Sequence, residues 1–310
     1  MIDAVRVQRL EPPMGRLHVV IDTDAANEID DQFALAYAVL SPRQLSVEAV
    51  YAAPFQRPEH GDPNPVPAPD SVSPSAGMQL SFEEIVRVLG RLDAGDIPAH
   101  RGTESWLPDA RTPVMSAAAE DLVGRARTRA AGSDPLYVVA LGAPTNVASA
   151  LLAAPDIAER IVVVWLGGNG TWWIPGAEYN VYQDLHASRV LFDCGVPLVH
   201  VPCYHVTEKL RTTYEEVERR VRGRGAIGTY LADIYAGFDH SSHRMKELWD
   251  IGPIAWLIRP EWCPSALVHS PVLQDDLSWG HDPARHLIRE VRDIDADAVF
   301  EDFFAKLPAA

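Results

Sequence analysis

A chain of 310 residues that is 47% hydrophobic and 23% charged has the composition of a water-soluble globular protein. Its formal charge of −16, from 27 basic and 43 acidic residues, argues against a nucleic-acid partner, because no basic stripe is present to neutralise a phosphate backbone. No apolar run reaches the ~20 residues that cross a bilayer, and Met1 to Leu17 carries charges without an apolar signal segment, so a cytoplasmic protein with no membrane contact is expected.

Leu17 to Ile21 reads as a buried strand, Asp30 to Leu40 as a helix and Leu45 to Tyr51 as a second strand, which together make a βαβ unit. Between the first strand and the helix stand Asp22, Asp24, Glu28, Asp30 and Asp31. A parallel strand buried on both faces is a continuous apolar run, and ligands bind outside its carboxyl end. Carboxylates brought together there repel one another unless a cation neutralises them, and hard divalent ions prefer oxygen ligands. The helix macrodipole alone accounts for Asp30 and Asp31, but not for Asp22 and Asp24. A metal site is therefore expected.

Pro54 to Met78 is rich in proline, glycine, serine and aspartate and reads as a loop, placed where it could close over the acids as a lid. Leu136 to Leu141 and Ile161 to Leu166 are further buried strands flanking a helix at Thr145 to Ala153. A helix at Asp184 to Phe192 leads to a strand at Pro197 to Val201. Helices are expected at Tyr214 to Val221, Gly225 to Phe238, Arg244 to Ile258 and Ala296 to Lys306. The alternation predicts a single-domain α/β fold over residues 1–310, a mainly parallel open sheet flanked by helices in the Rossmann manner. Cys194, Cys203 and Cys263 lack metal-ligand spacing and read as reduced, mostly packed thiols, so zinc is not expected.

Three later segments also end strands with polar residues: Gly142-Ala143-Pro144-Thr145-Asn146, Gly167-Gly168-Asn169, and Ala177-Glu178-Tyr179-Asn180 with Asp184. Trp249-Asp250 then opens an apolar helical pattern. Taken with the opening acids, this order resembles the inosine-uridine-preferring nucleoside hydrolases over most of the chain. That family opens with D-x-D-P-G-x-D-D, continues with G-P-L-T-N and G-G…N…A-E-F-N-x-x-x-D, and ends with an acid at a late helix.

The resemblance implies hydrolysis of the N-glycosidic bond of a small ribonucleoside. It implies Ca²⁺ held by Asp24, Asp31, Asp250 and the main-chain carbonyl of Thr145, with ribose hydroxyls and a water completing the shell. Asp24 would be the general base, Asp22 and Asp30 would orient the shell, and Asn169, Glu178 and Asn180 would hold the sugar. Relatives of this kind form homodimers or homotetramers. Trp249 stands where the broad-specificity branch has histidine and the purine-specific branch has tryptophan, which implies stacking on a purine. Trp172 and Trp173 are candidates for the opposite face, and His205 and His240 for the proton donor.

The departures are local. Five residues, Ala25 to Ile29, separate Asp24 from Asp30 where the family pattern has three, and Ala53-Pro54 replaces the Gly-Asn that ends the second strand. A missing sugar contact would fall to Asn27 or Glu28. Two rival readings are a calcium- or nucleoside-binding homologue without turnover and a haloacid dehalogenase-type phosphatase built on Asp22-Thr23-Asp24. The second leaves Asp30, Asp31 and Glu178 idle and lacks its lysine.

Overall fold

The computed structural model describes residues 3–57, 71–130, 132–173, 176–238 and 245–309. After a short helix α1 (Asp3–Arg9), the chain forms β1 (Leu17–Thr23), α2 (Asp30–Val39), β2 (Leu45–Ala52), α3 (Pro74–Arg91), β3 (Ala99–Arg101) and α4 (Ala117–Thr128). It continues through β4 (Leu136–Ala140), α5 (Thr145–Ala153), β5 (Ile161–Leu166), α6 (Tyr179–Gln183), α7 (Leu185–Asp193) and β6 (Leu198–Val201). The last third holds β7 (Arg211–Thr213), α8 (Tyr214–Arg220), α9 (Gly225–Gly237), β8 (Met245–Glu247) and α10 (Ile251–Ile258). Then come β9 (Ser265–His269), β10 (Val272–Leu273), β11 (Trp279–Gly280), β12 (Leu287–Val291) and α11 (Ala296–Lys306).

Eight strands make one sheet in the order β3-β2-β1-β4-β5-β6-β12-β9, parallel throughout except for β9, which runs antiparallel to β12. The expected α/β architecture is therefore observed. From β1 the chain winds outward through β2 and β3, then returns to place β4 on the other side of β1. The crevice at the carboxyl ends of β1 and β4 is thus the topological switch point, where neighbouring connections leave in opposite directions. Burial explains the strand composition: β4 and β5 have no exposed position, and apolar side chains fill the layers on both faces. Helices α2, α9, α10 and α11 cover one face and α4, α5 and α7 the other. No helix among the described residues is long and apolar enough to cross a membrane.

Two sequence expectations are corrected. The loop expected over residues 54–78 ends before Pro74, because Ser73 caps α3 by accepting from the Ala76 amide at 3.3 Å and Pro74 occupies the first helical turn, where its missing N–H is no loss. Residues 58–70, on which the lid expectation falls, lie outside the described residues. The helix expected from Arg244 begins only at Ile251, since Met245–Glu247 pairs antiparallel with Arg211–Thr213 and the Leu248 amide donates to the Leu210 carbonyl. The helix expected over Asp184 to Phe192 is found as α7, with Asp184 at its N-cap accepting from the Ala187 amide at 2.9 Å, and the short α6 precedes it.

Candidate active site

A cavity of about 350 Å³ opens at the switch point. That is a size suited to a small organic ligand. Its floor is acidic: Asp24 follows β1, Asp30 and Asp31 form the first turn of α2, and Asp250 sits at the N-cap of α10. Carboxylate oxygens of Asp30, Asp31 and Asp250 lie within 4.8 Å of one another, and all three residues are buried. Gly142, after β4, is what lets Asp24 stand here, since a Cβ at that position would come 2.7 Å from its Oδ1. The other oxygen of Asp24 accepts from Asn27 at 3.2 Å, and Asp31 accepts from the Thr23 hydroxyl.

Burial raises the proton affinity of every acid on this floor, and mutual repulsion adds to it. Asp31 is pushed up to about 7 by burial and by Asp30. Asp24 and Asp250 rise well above the carboxylate range, first through burial and then through their acidic neighbours. Asp30 reaches only about 6, because Lys246 on β8 opposes its burial. Burial also works against the charged ammonium of Lys246, yet Asp30 and Glu28 hold it above the ordinary lysine range. Its Nζ lies 2.5 Å from Glu28, on the segment that lengthens the acidic loop. Arg57 clamps the same segment, donating to the carbonyls of Ala26 at 2.6 Å and Asn27 at 2.9 Å. One lysine does not neutralise so many buried carboxylates. The donor set, all oxygen and short of positive charge, fits a hard divalent cation.

The opposite wall carries Glu178, Asn180, Cys203, Tyr204 and Trp249. Glu178 accepts from the Gly168 amide at 2.8 Å and the Asn180 amide at 3.0 Å, and burial raises it to about 7 against those donors. Gly168 adopts φ +73°, a left-handed conformation that turns its amide toward Glu178. Asn180 ties the ends of two strands together, donating to the carbonyls of Leu141 at 2.7 Å and Leu166 at 2.9 Å. The residue also lines the cavity.

Of the residues expected from sequence, Asp24, Asn27, Asp30, Asp31, Glu178, Asn180, Trp249 and Asp250 line one cavity. The side chains of Asp22, Thr145 and Asn169 do not. Asp22 lies beneath the floor, raised to about 7 by burial, with Oδ1 accepting from Asn146 at 2.7 Å and Oδ2 unpartnered. Thr145 starts α5, and its hydroxyl donates to Asp184 at 2.9 Å. Asn169 braces the wall from behind, donating to the Ala177 carbonyl at 3.0 Å and accepting from the Tyr204 amide at 3.4 Å. The tryptophan pair also falls outside: Trp172 packs under Arg292 and Trp173 against His205, with ring centroids 4.1 Å apart in the latter pair. His240 lies outside the described residues.

Sequence reasoning missed Cys203, Tyr204, Tyr182 and Lys246. Cys203 and Tyr204 follow the carboxyl end of β6, so the rule that located the acids pointed to them as well. Lys246 carried no such signal, because β8 was read as helix.

A family model for inosine-uridine preferring nucleoside hydrolases matches residues 68–301. The chain belongs to this family. Its members hydrolyse N-glycosyl bonds of ribonucleosides and depend on a metal, which sets aside the aspartyl-phosphatase reading. Among curated relatives, a pyrimidine-specific ribonucleoside hydrolase, RihA, of Salmonella paratyphi A is 31% identical over 79% of this chain and 80% of its own. RihA of Citrobacter koseri is 27% identical with the same coverage. Among solved structures, the plant nucleoside hydrolase PpNRh1 superposes with a TM-score of 0.74 at 21% identity, covering 95% of this chain and 99% of its own. An inosine-guanosine nucleoside hydrolase gives 0.74 at 18% identity, covering 95% and 100%. The opening acids lie before the segment matched by the family model, and the fold brings them to Asp250 inside it.

Proposed function

We propose that this nucleoside hydrolase cleaves ribonucleosides to ribose and free base with a preference for purine ribosides. We further propose that Asp24, Asp31, Asp250 and the Thr145 carbonyl hold Ca²⁺. The observation that carries this reading is the convergence of four buried acids on one side of a cavity with Glu178, Asn180 and Trp249 on the other.

Ca²⁺ on this floor would neutralise the acids and acidify a neighbouring water. Asp24 accepts the proton of the water that attacks the anomeric carbon; the new C–O bond forms as the C–N bond breaks and its electron pair leaves with the base. Positive charge grows on the sugar in that transition state, and the surrounding carboxylates stabilise it. Glu178 and Asn180 offer acceptors to sugar hydroxyls, so a sugar lacking one leaves a buried polar group unpaired. Asn27 or Glu28, both on the lengthened acidic loop and lining the cavity, supplies the rim contact that Ala53 and Pro54 cannot. Trp249 faces the leaving base, with Tyr204 edge-on to it at 5.6 Å between ring centroids.

A pyrimidine preference is the second reading, favoured by the pyrimidine specificity of the RihA relatives. Ribose release from inosine, guanosine, uridine and cytidine separates the two: faster release from uridine or cytidine overturns the purine assignment. Binding of Ca²⁺ and nucleoside without ribose release from any of them would return the non-catalytic reading. We also propose a homodimer or homotetramer; a monomer mass by light scattering at micromolar concentration would refute it.

A further inference from the structure

Behind the cavity wall lies a buried couple that the reaction does not use. His200 on β6 and Glu290 on β12 are register partners in the sheet, and both are fully buried. His200 Nε2 is 2.7 Å from the Gly167 carbonyl oxygen, and Nδ1 is 3.2 Å from Glu290 Oε2. A carbonyl only accepts, so Nε2 carries a proton and donates it. Glu290 also accepts from the Thr171 amide at 2.8 Å, the Thr171 hydroxyl at 2.9 Å and Arg292 at 2.9 Å. Burial pushes the Glu290 carboxyl up, but these donors with His200 bring it below the usual range. Nδ1 faces the Glu290 carboxylate, so the ring spans the gap between the Gly167 carbonyl and Glu290. The rings of Trp165, Phe192 and Trp279 surround the remaining faces of His200.

The consequence is geometric. Glu290 anchors one end of the segment 167–171 directly, at Thr171, and the other through His200, at Gly167. From inside that segment the Gly168 amide donates to Glu178, and the Gly168 carbonyl accepts from the Cys203 amide at 2.9 Å. We propose that the His200–Glu290 couple is a positioning device for the sugar-facing wall, fixing both ends of one loop so that Glu178 stands at a set depth in the cavity. Neither residue touches substrate. The link to catalysis rests on the role proposed above for Glu178, whereas the anchoring itself does not.

Hydrogen exchange of the whole protein, read by mass spectrometry, tests the anchoring without using activity. In Glu290→Gln and Thr171→Val, peptides across residues 166–180 should exchange about tenfold faster or more, while those covering β1 and α2 keep wild-type rates. Unchanged exchange in both variants overturns the proposal. Thr171→Val removes a single hydroxyl contact of a partly exposed residue, so it decides the matter if Glu290→Gln fails to fold. Steady-state kinetics then test the route through Glu178. Thr171→Val should raise KM for a riboside about fivefold or more with kcat within about twofold, and in a Glu178→Gln background the same change should add less than about twofold. Losses that simply multiply in the double variant would refute the route. Absence of riboside turnover in the wild type would sink the functional reading instead, and the exchange result would still judge the couple.

Discussion

At the floor of the cavity Asp24, Asp30, Asp31 and Asp250 are nearly fully buried, fixed on the ends of β1, α2 and α10; at its rim Tyr204 is half exposed and Trp249 only partly covered. The floor holds like charges that the protein alone leaves uncompensated, while each rim side chain is already in a comfortable contact. Buried carboxylates whose proton affinities all rise together are a local instability that a bound cation relieves. Aromatic edges at a mouth carry no such instability. The floor is therefore where chemistry dictates residue identity, and the rim is where identity can vary with the leaving group.

The sharpest way to break this contrast is to relieve the floor without a metal. Asp24→Asn removes one buried charge and the proposed base together, so turnover should fall by about 10²–10⁴-fold, the usual worth of a general base. In metal-free protein the same change should leave the melting temperature equal or higher, because repulsion with Asp31 is gone. Near-normal ribose release from Asp24→Asn would mean that the base is another group. A lower melting temperature in metal-free buffer would mean that the floor is not strained.

Chelation addresses the same side of the comparison. EDTA should abolish turnover and Ca²⁺ should restore it, with a thermal shift that grows with concentration and corresponds to about 2.7 kcal/mol at a hundred times the dissociation constant. A melting curve indifferent to Ca²⁺ would assign the four acids to structure alone.

Glu178 stands between floor and rim, buried like the first but facing the sugar. Its proton affinity is raised to about 7 by burial, so it loses its charge as the pH falls through that value. An acceptor is what the sugar needs, and kcat/KM measured at saturating Ca²⁺ should therefore decline below about pH 7, the value set by the buried carboxyl. The sign follows from the raised affinity: the active, ionised form lies on the alkaline side. Glu178→Gln should flatten that limb and cost about 1.5–3 kcal/mol, the range for a hydrogen bond to a charged group. An acid limb that persists in Glu178→Gln would place the titrating group elsewhere.

How much of the molecule is legible in its sequence differs in the same way between the two regions. Strand β5 and helices α5 and α11 were legible to the residue, because apolar runs and 3.6-residue periodicity state burial directly. The floor was legible because acids crowded at one strand end repel one another and call for a cation. The wall was less so. Asn169 and Asn180 look alike in sequence, yet one braces the wall from behind while the other faces the cavity, a distinction set by the turn at Gly168. Cys203 and Tyr204 were missed because neither residue type announces a role. The antiparallel pairing of β7 with β8 was missed because three-residue strands, one of them leading straight into the apolar α10, carry too few positions to show a period of two.

The smallest expected effect lies at the rim and bears on whether it can vary independently of the floor. Trp249 packs against the core on one side and meets Tyr204 edge-on at an interplanar angle of 67°, so truncating it removes both a packing contact and a face for the base. If the indole stacks on a purine, Trp249→Ala should lower turnover of inosine by the equivalent of about 1–3 kcal/mol, the range for base stacking on an aromatic side chain. Hydrolysis of a nitrophenyl riboside, whose leaving group needs no activation, should fall much less, because the floor that serves the sugar is untouched. Equal losses on the two substrates would show that Trp249 acts through packing and that floor and rim are one unit. A wild-type preference for uridine would leave the floor as argued and transfer the choice of base to the neighbouring tyrosines, whose phenols can exchange hydrogen bonds with a pyrimidine where an indole face gains less.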